Sequence, residues 1–216
     1  MAAYKKNQEE IAKAAKLAHV PGGEDYEKMI SGMLYDAFVP ELEVARLRAR
    51  KWAMKYNTTF PDADTFDGVA KVRLSMLQEI IGHIDDEEAF IEPPFSIDYG
   101  CNISLGKRFY ANFNLTILDC AIVTIGDRAV FGPNVSLLAA THETEVASRR
   151  QGVEYAKPIT IGNDCWLGGH VVILPGVTIG DGCTIAASSV VTKDIPSWSV
   201  AMGAPARVVK KVQALK

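Results

Sequence analysis

Histidine is the side chain whose ordinary pKa, ~6.5, lies closest to working pH, which makes it the first place to look for a proton-transfer group. The chain carries four: His19, His83, His142 and His170. The first two fall at the ends of helical stretches. His142 stands in Ala140-Thr141-His142-Glu143, where a regular pattern breaks off and a polar segment begins. An isolated surface histidine has no claim to chemistry, so the weight of His142 depends on its surroundings. The four cysteines (Cys101, Cys120, Cys165 and Cys183) include no Cys-x-x-Cys pair, so neither a redox motif nor a thiolate zinc site is indicated. Arg149-Arg150 reads equally as a phosphate contact and as a solvated loop tip.

The elements that must position these residues announce themselves from Ile161 onward, where the chain repeats every six residues. The blocks run Ile161-Gly-Asn-Asp-Cys-Trp, Leu167-Gly-Gly-His-Val-Val, Ile173-Leu-Pro-Gly-Val-Thr, Ile179-Gly-Asp-Gly-Cys-Thr, Ile185-Ala-Ala-Ser-Ser-Val and Val191-Thr-Lys-Asp-Ile-Pro. Each opens with an aliphatic residue, and the fifth place is always small or aliphatic. A period of six fits neither a helix nor an isolated strand. It fits a solenoid with one hexapeptide per flat side, three sides to a coil of 18 residues, and a continuous aliphatic column inside. Cys165 and Cys183 then stack as small core residues. Gly162, Gly168, Gly180 and Gly203 are expected where corners need tight or left-handed turns.

The pattern reaches back through Leu137, Phe131 and Ile125, shifts by two residues, and continues through Ile117, Ala111 and Leu105. Residues 1–23 form a helical extension and 24–84 a helical segment. Helices are expected over 5–19, 24–38, 41–56 and 65–84, with Pro40 at a first helical position and a capping Asp near 62–64. The solenoid is expected over 85–199, with a loop thrown out at 141–158. Residues 200–216 are expected to leave it and pack along its side. The extension's Ala-rich helix is a candidate to pack on a neighbouring subunit. A net charge of −3, 48% apolar and 23% charged residues are ordinary for a globular chain and give no reason to expect nucleic acid or an anionic membrane as partner. The polar N-terminus and the absence of an apolar run of ~20 residues point to a cytoplasmic protein.

Tyr110-Ala-Asn-Phe-Asn-Leu-Thr-Ile117, Val123-Thr-Ile-Gly-Asp127, Pro158-Ile-Thr-Ile-Gly162, Pro175-Gly-Val-Thr-Ile-Gly180 and Val190-Val-Thr-Lys-Asp-Ile-Pro196 resemble the maltose/galactoside O-acetyltransferases. Tyr26–Arg48, with Met33-Leu-Tyr-Asp36 and Arg46-Leu-Arg48, is similar to that family's helical segment. The resemblance covers about residues 24–212. It implies a mainly β fold, a left-handed parallel β-helix, and an acetyl-CoA-dependent transfer to a sugar hydroxyl. It also implies a homotrimer with sites between subunits and no metal.

The resemblance implies His142 as the general base, with Glu143 where most relatives have Pro. It places acceptor contacts at Asp36, Asp98, Asn112 and Cys120, with Tyr110 and Arg46 as further candidates. Plain packing is the simpler reading of Cys120. Asp98 matches maltose-type members where galactoside-type members have Ser, and Cys120 stands where galactoside-type members have Asp. For acetyl-CoA the implied positions are Gly169, Ala187, Thr192, Lys193, Arg207 and Lys210. The Gly169 N–H would face the thioester oxygen, and the three cations would meet phosphates. Trp166 is either a wall of the CoA groove or an outward subunit contact. His170 reads as shaping that groove. Two other readings compete. A γ-type carbonic anhydrase needs three histidines around zinc, and the repeat region has only His142 and His170. A non-catalytic assembly β-helix would keep the hexads without the loop histidine and the basic C-terminal end.

Overall fold

The computed structural model describes residues 1–86 and 88–214. Parallel strands of two to five residues wind into a three-sided solenoid. The first face stacks His83–Ile84, Ile103–Leu105, Val123–Ile125, Ile159–Ile161 and Thr178–Ile179. The second face runs Phe90–Ile91, Tyr110–Ala111, Val130–Phe131, Trp166–Leu167, Thr184–Ile185 and Ser199–Gly203. The third runs Phe95–Ile97, Leu115–Leu118, Ser136–Leu138, Val172–Ile173 and Val190–Val191. The hexad-opening residues Ile161, Leu167, Ile173, Ile179, Ile185 and Val191 are all buried, as are Cys165 and Cys183 at the fifth place. Removing this column from water is the main stabilising term of the fold. Phe109 and Phe131 meet edge to face within it, 5.1 Å apart.

The corners solve their backbone problem differently from the sequence expectation. The left-handed residue is the fourth of the hexad, and it is often not glycine: Asp164, His170 and Ser188 have φ of 56°, 60° and 60°. Gly162, Gly168 and Gly180 are absent from the left-handed residues. They are required by stacking, since a Cβ on Gly162 would lie 2.7 Å from the Asp181 nitrogen of the next coil. Gly203, at φ 99°, is left-handed, but in the turn of the C-terminal hairpin and not at a coil corner. The final hexad is cut short: Ile195 bridges Ile179 and opens the next face itself.

Helix α1 spans Gln8–Ala14, α2 Glu24–Ile30, α3 Pro40–Thr58 and α4 Phe66–Gln78. Pro40 starts α3, where its missing N–H costs nothing. Thr65, rather than an Asp, caps α4, its hydroxyl accepting from Gly68 N–H at 3.1 Å. Leu42, Ala45, Ala49, Trp52 and Tyr56 form the buried stripe of α3. That stripe covers the open end of the first coil: Tyr56 donates to the Ile91 carbonyl at 2.6 Å, and Asn57 both donates to and accepts from the Phe95 backbone. The α2 stripe expected to continue to residue 38 stops at Gly32, whose φ is 76°. Residues 1–23 are tied to their own chain. Lys6 reaches Glu24 and Glu27 at 2.7 Å each, and Ala18 N–H donates to the Gly82 carbonyl.

Two other segments differ from expectation. Residues 141–158 are not an unstructured loop. They hold a one-turn helix, α5 (Val146–Arg149), and a strand, Val153–Ala156, that pairs antiparallel with both Ala140–Thr141 and Tyr35–Asp36. The C-terminal residues do not run along the side. Ala206–Lys211 folds back antiparallel on Ser199–Gly203 and covers the edge of the last coil.

Candidate active site

His142 follows the strand Ala140–Thr141 at the corner between the third and first faces. The three-stranded sheet at that corner brings Tyr35 opposite Glu154. The Tyr35 hydroxyl donates to Glu154 Oε1 at 2.5 Å. The other carboxylate oxygen lies 3.6 Å from His142 Nε2, a separation suited to stabilising a protonated ring though longer than a direct hydrogen bond. The imidazole is 55% exposed, so it is open to an incoming molecule. Tyr35 is buried, and burial raises its hydroxyl above the ordinary range, keeping it a donor to the carboxylate. Sequence reasoning missed Tyr35 and Glu154. The alternation in Val153-Glu154-Tyr155-Ala156 is a strand signal too short to stand without its partner.

Asp98 and Cys120 lie at the same corner of earlier coils. The Cys120 thiol donates to Asp98 Oδ2 at 3.4 Å. Burial, together with the carboxylates of Asp98 and Glu154, pushes that thiol well above its ordinary pKa, so it remains protonated. Asp36 is exposed on the strand beside Val153, and its carboxylate accepts from Phe38 N–H at 2.8 Å. Asp98, Cys120 and His142 are thus gathered around Glu154 at one corner, while Asp36, opposite Val153 in the register, lies on the other face of that small sheet. Arg46 is engaged by its own chain, donating to the Tyr99 hydroxyl at 2.7 Å and the Ala37 carbonyl at 2.5 Å. These two bonds brace the corner and use two of the five guanidinium N–H donors.

The remaining candidates fall elsewhere. Asn112, Gly169 and Ala187 stand at the opposite corner, between the second and third faces. There, Cβ atoms on Gly132 and Gly168 would meet Gly169 and Ala187 nitrogens at 2.7 and 2.6 Å. His170 belongs to this column, with Nε2 3.4 Å from the Asn134 side-chain nitrogen. Tyr110 and Trp166 share an outward column on the second face, Tyr110 stacking on Phe90 and Trp166 56% exposed. Tyr110 is therefore not beside the His142 of its own chain. Thr192 and Lys193 are exposed at the third-to-first corner of the last coil, and Arg207 and Lys210 lie exposed on the C-terminal hairpin. Among the described residues no group of three or more His, Cys, Asp or Glu side chains is placed to hold a metal ion. No helix among them is long and apolar enough to cross a membrane.

Comparison with known proteins places this arrangement. Residues 28–85 match the maltose acetyltransferase hexapeptide capping motif, and residues 158–193 match the bacterial transferase hexapeptide family of six repeats. The chain is 42% identical over 186 residues to galactoside O-acetyltransferase of Escherichia coli K12, covering 86% of this chain and 88% of that protein. A solved galactoside acetyltransferase in complex with coenzyme A superimposes with a TM-score of 0.81 at 41% identity, over 89% of this chain and 92% of the other. A maltose O-acetyltransferase from Clostridium difficile 630 gives 0.80 at 37% identity, over 89% and 99%. With sequence and fold matched over most of its length, this chain belongs to the hexapeptide-repeat galactoside and maltose O-acetyltransferases, and is an acetyltransferase.

Proposed function

We propose that the protein transfers acetyl from acetyl-CoA to a hydroxyl of a glucosyl-type sugar such as maltose or glucose, with His142 as general base. The observation that carries this reading is an open histidine backed by a tyrosine-held carboxylate, on a corner that also holds Asp98, with Asp36 on the adjoining strand. Sugar hydroxyls come in adjacent pairs, and short ionised carboxylates accept from both. Asp98 and Cys120 at their positions favour a maltose-type acceptor over a strict galactoside.

In the proposed reaction His142 takes the acceptor hydroxyl proton as the oxygen attacks the thioester carbonyl. Glu154 stabilises the imidazolium that forms. The Gly169 N–H meets the developing oxyanion. The tetrahedral intermediate expels the CoA sulfur, which takes the proton from His142, leaving an acetyl ester and free thiol. Lys193, Arg207 and Lys210 would meet CoA phosphates, with Thr192 and Ala187 along its pantetheine arm. Trp166 would then be a subunit contact or an outer wall of the groove.

Within one chain His142 and Gly169 stand on opposite edges of the third face. A complete site therefore needs the His142 corner of one copy against the Asn112–Gly169–Ala187 corner of another. That is a heterologous contact, and a closed ring of three satisfies every such pair. This supports a homotrimer. The test is thiol release from acetyl-CoA across maltose, glucose, isopropyl-thiogalactoside, chitobiose and serine, with products weighed for one added acetyl. Fastest turnover is expected on the glucosyl sugars. Turnover on serine alone, or on no hydroxyl, would defeat the reading.

A further inference from the structure

The corner that carries Asp98 and Cys120 is built from more chain than a hexad supplies. Inward residues of the late coils recur at 18-residue spacing, as Ile161 does with Ile179. In the early coils the spacing is 20, as in Ile97, Ile117 and Leu137. The surplus lies at the third-to-first corner, since Ile97 to Leu105 and Ile117 to Ile125 each take eight residues where a hexad takes six. Surplus backbone at a corner brings N–H groups that no coil above or below can pair.

One side chain pairs them. Asp119 is fully buried, and its Oδ1 accepts from the N–H groups of Asp98 at 3.1 Å and Tyr99 at 2.9 Å. Its Oδ2 accepts from Asn102 N–H at 3.3 Å. The Asn102 amide donates back to the Asp119 carbonyl at 2.7 Å and accepts from the Tyr26 hydroxyl of α2 at 2.8 Å. The turn 98–102 is thus gripped from inside by Asp119, while Arg46 holds the Tyr99 hydroxyl from outside. The Cys120 thiol, next in sequence, takes one oxygen of the Asp98 carboxylate and leaves the other for a ligand.

We propose that Asp119 is a positioning residue for the acceptor, aiming Asp98 through the backbone of the 98–102 turn, with Cys120 fixing the rotation of the Asp98 carboxylate. This deepens the acetyltransferase reading and rests on it. Three backbone N–H groups converge on the Asp119 carboxyl, and an amide nitrogen in the Oδ2 position would face the Asn102 N–H.

Steady-state kinetics on the best acceptor, together with amide hydrogen exchange, test this. In Asp119→Asn the acceptor KM should rise about tenfold, the scale of one hydrogen bond to a charged group, with the acetyl-CoA KM within about twofold. The Tyr99 amide should exchange faster. Cys120→Ala should raise the acceptor KM in the same way, and Cys120→Ser, which keeps a donor, should restore it. If Asp119→Asn does not accumulate folded, Tyr26→Phe serves in its place with a smaller shift in the same direction. Lower thermal stability with both KM values unchanged would overturn the proposal and leave the enzyme assignment standing. Failure of the unsubstituted protein to acetylate any hydroxyl would defeat the assignment first, and this inference with it.

Discussion

Glu154→Gln isolates the electrostatic partner of His142 without disturbing shape. The amide oxygen still accepts from Tyr35, so the strand register is kept and only the negative charge is lost. At 3.6 Å, attraction between unit charges is about 1 kcal/mol in water and about 4–5 kcal/mol at an effective dielectric of 20. The histidine side chain is 55% exposed and the glutamate 22%, so the working value lies toward the lower end, about 1–2 kcal/mol. That charge matters only while the imidazolium exists, so its loss should appear in kcat, roughly 5- to 30-fold, with the acceptor KM little changed. Raising salt should narrow the gap between the two proteins, because the pair is partly exposed. Tyr35→Phe, which frees the carboxylate to turn away, should lower kcat in the same direction by less. Initial rates of thiol release at saturating acetyl-CoA give both parameters. A Glu154→Gln protein with wild-type kcat, or with the whole loss in KM, would refute this role for the carboxylate.

Because folding raises the Asp119 carboxyl to about 7, the native state holds a proton there that the unfolded chain releases near pH ~4. This contribution to stability is full below pH ~4 and is lost as pH rises through about 7. The melting temperature of Asp119→Asn should therefore gain on that of the wild type between about pH 5 and about pH 8, and parallel profiles would contradict the burial argument. Lys193→Ala and Arg207→Ala should each raise the acetyl-CoA KM several-fold while sparing the acceptor KM, as expected of phosphate contacts. Two crippled variants, His142→Ala and Asn112→Ala, should regain activity when dissociated and reassembled together, since mixed oligomers contain sites with both corners intact. Activity that stays at the parents' level would place the whole site within one chain.

The solenoid was legible because its core is one-dimensional: each aliphatic hexad opener must point inward, so the period shows through any surface. What the period could not show was where it is cut. Val191-Thr-Lys-Asp-Ile-Pro reads as a full hexad, yet Ile195 already opens the next face. At the corners glycine is expected for tight or left-handed turns; the second-place glycines serve the close stacking of coils, while left-handed φ falls on Asp164, His170 and Ser188. Met33 and Leu34 extend the helical stripe of α2 by spacing alone, which hid the strand at Tyr35–Asp36 and with it the partner of Glu154. The site was legible mainly through the resemblance around His142. Its supports, Tyr35, Glu154 and Asp119, act through contacts between residues 17 to 119 positions apart, which no local pattern encodes. Tyr110 is grouped with the acceptor by motif, and strand direction puts it on the second face, away from the His142 of its own chain, while Arg46 hydrogen-bonds to Tyr99 and Ala37 beside the Asp98 corner.

The role of His142 is decided by kcat/KM of His142→Ala against the wild type on the best glucosyl acceptor, with acetyl-CoA binding measured on both by calorimetry. A general base at this position predicts a loss of roughly 10²–10⁴-fold with acetyl-CoA affinity unchanged. Activity within a few-fold of wild type would contradict it and require the proton to leave by another group.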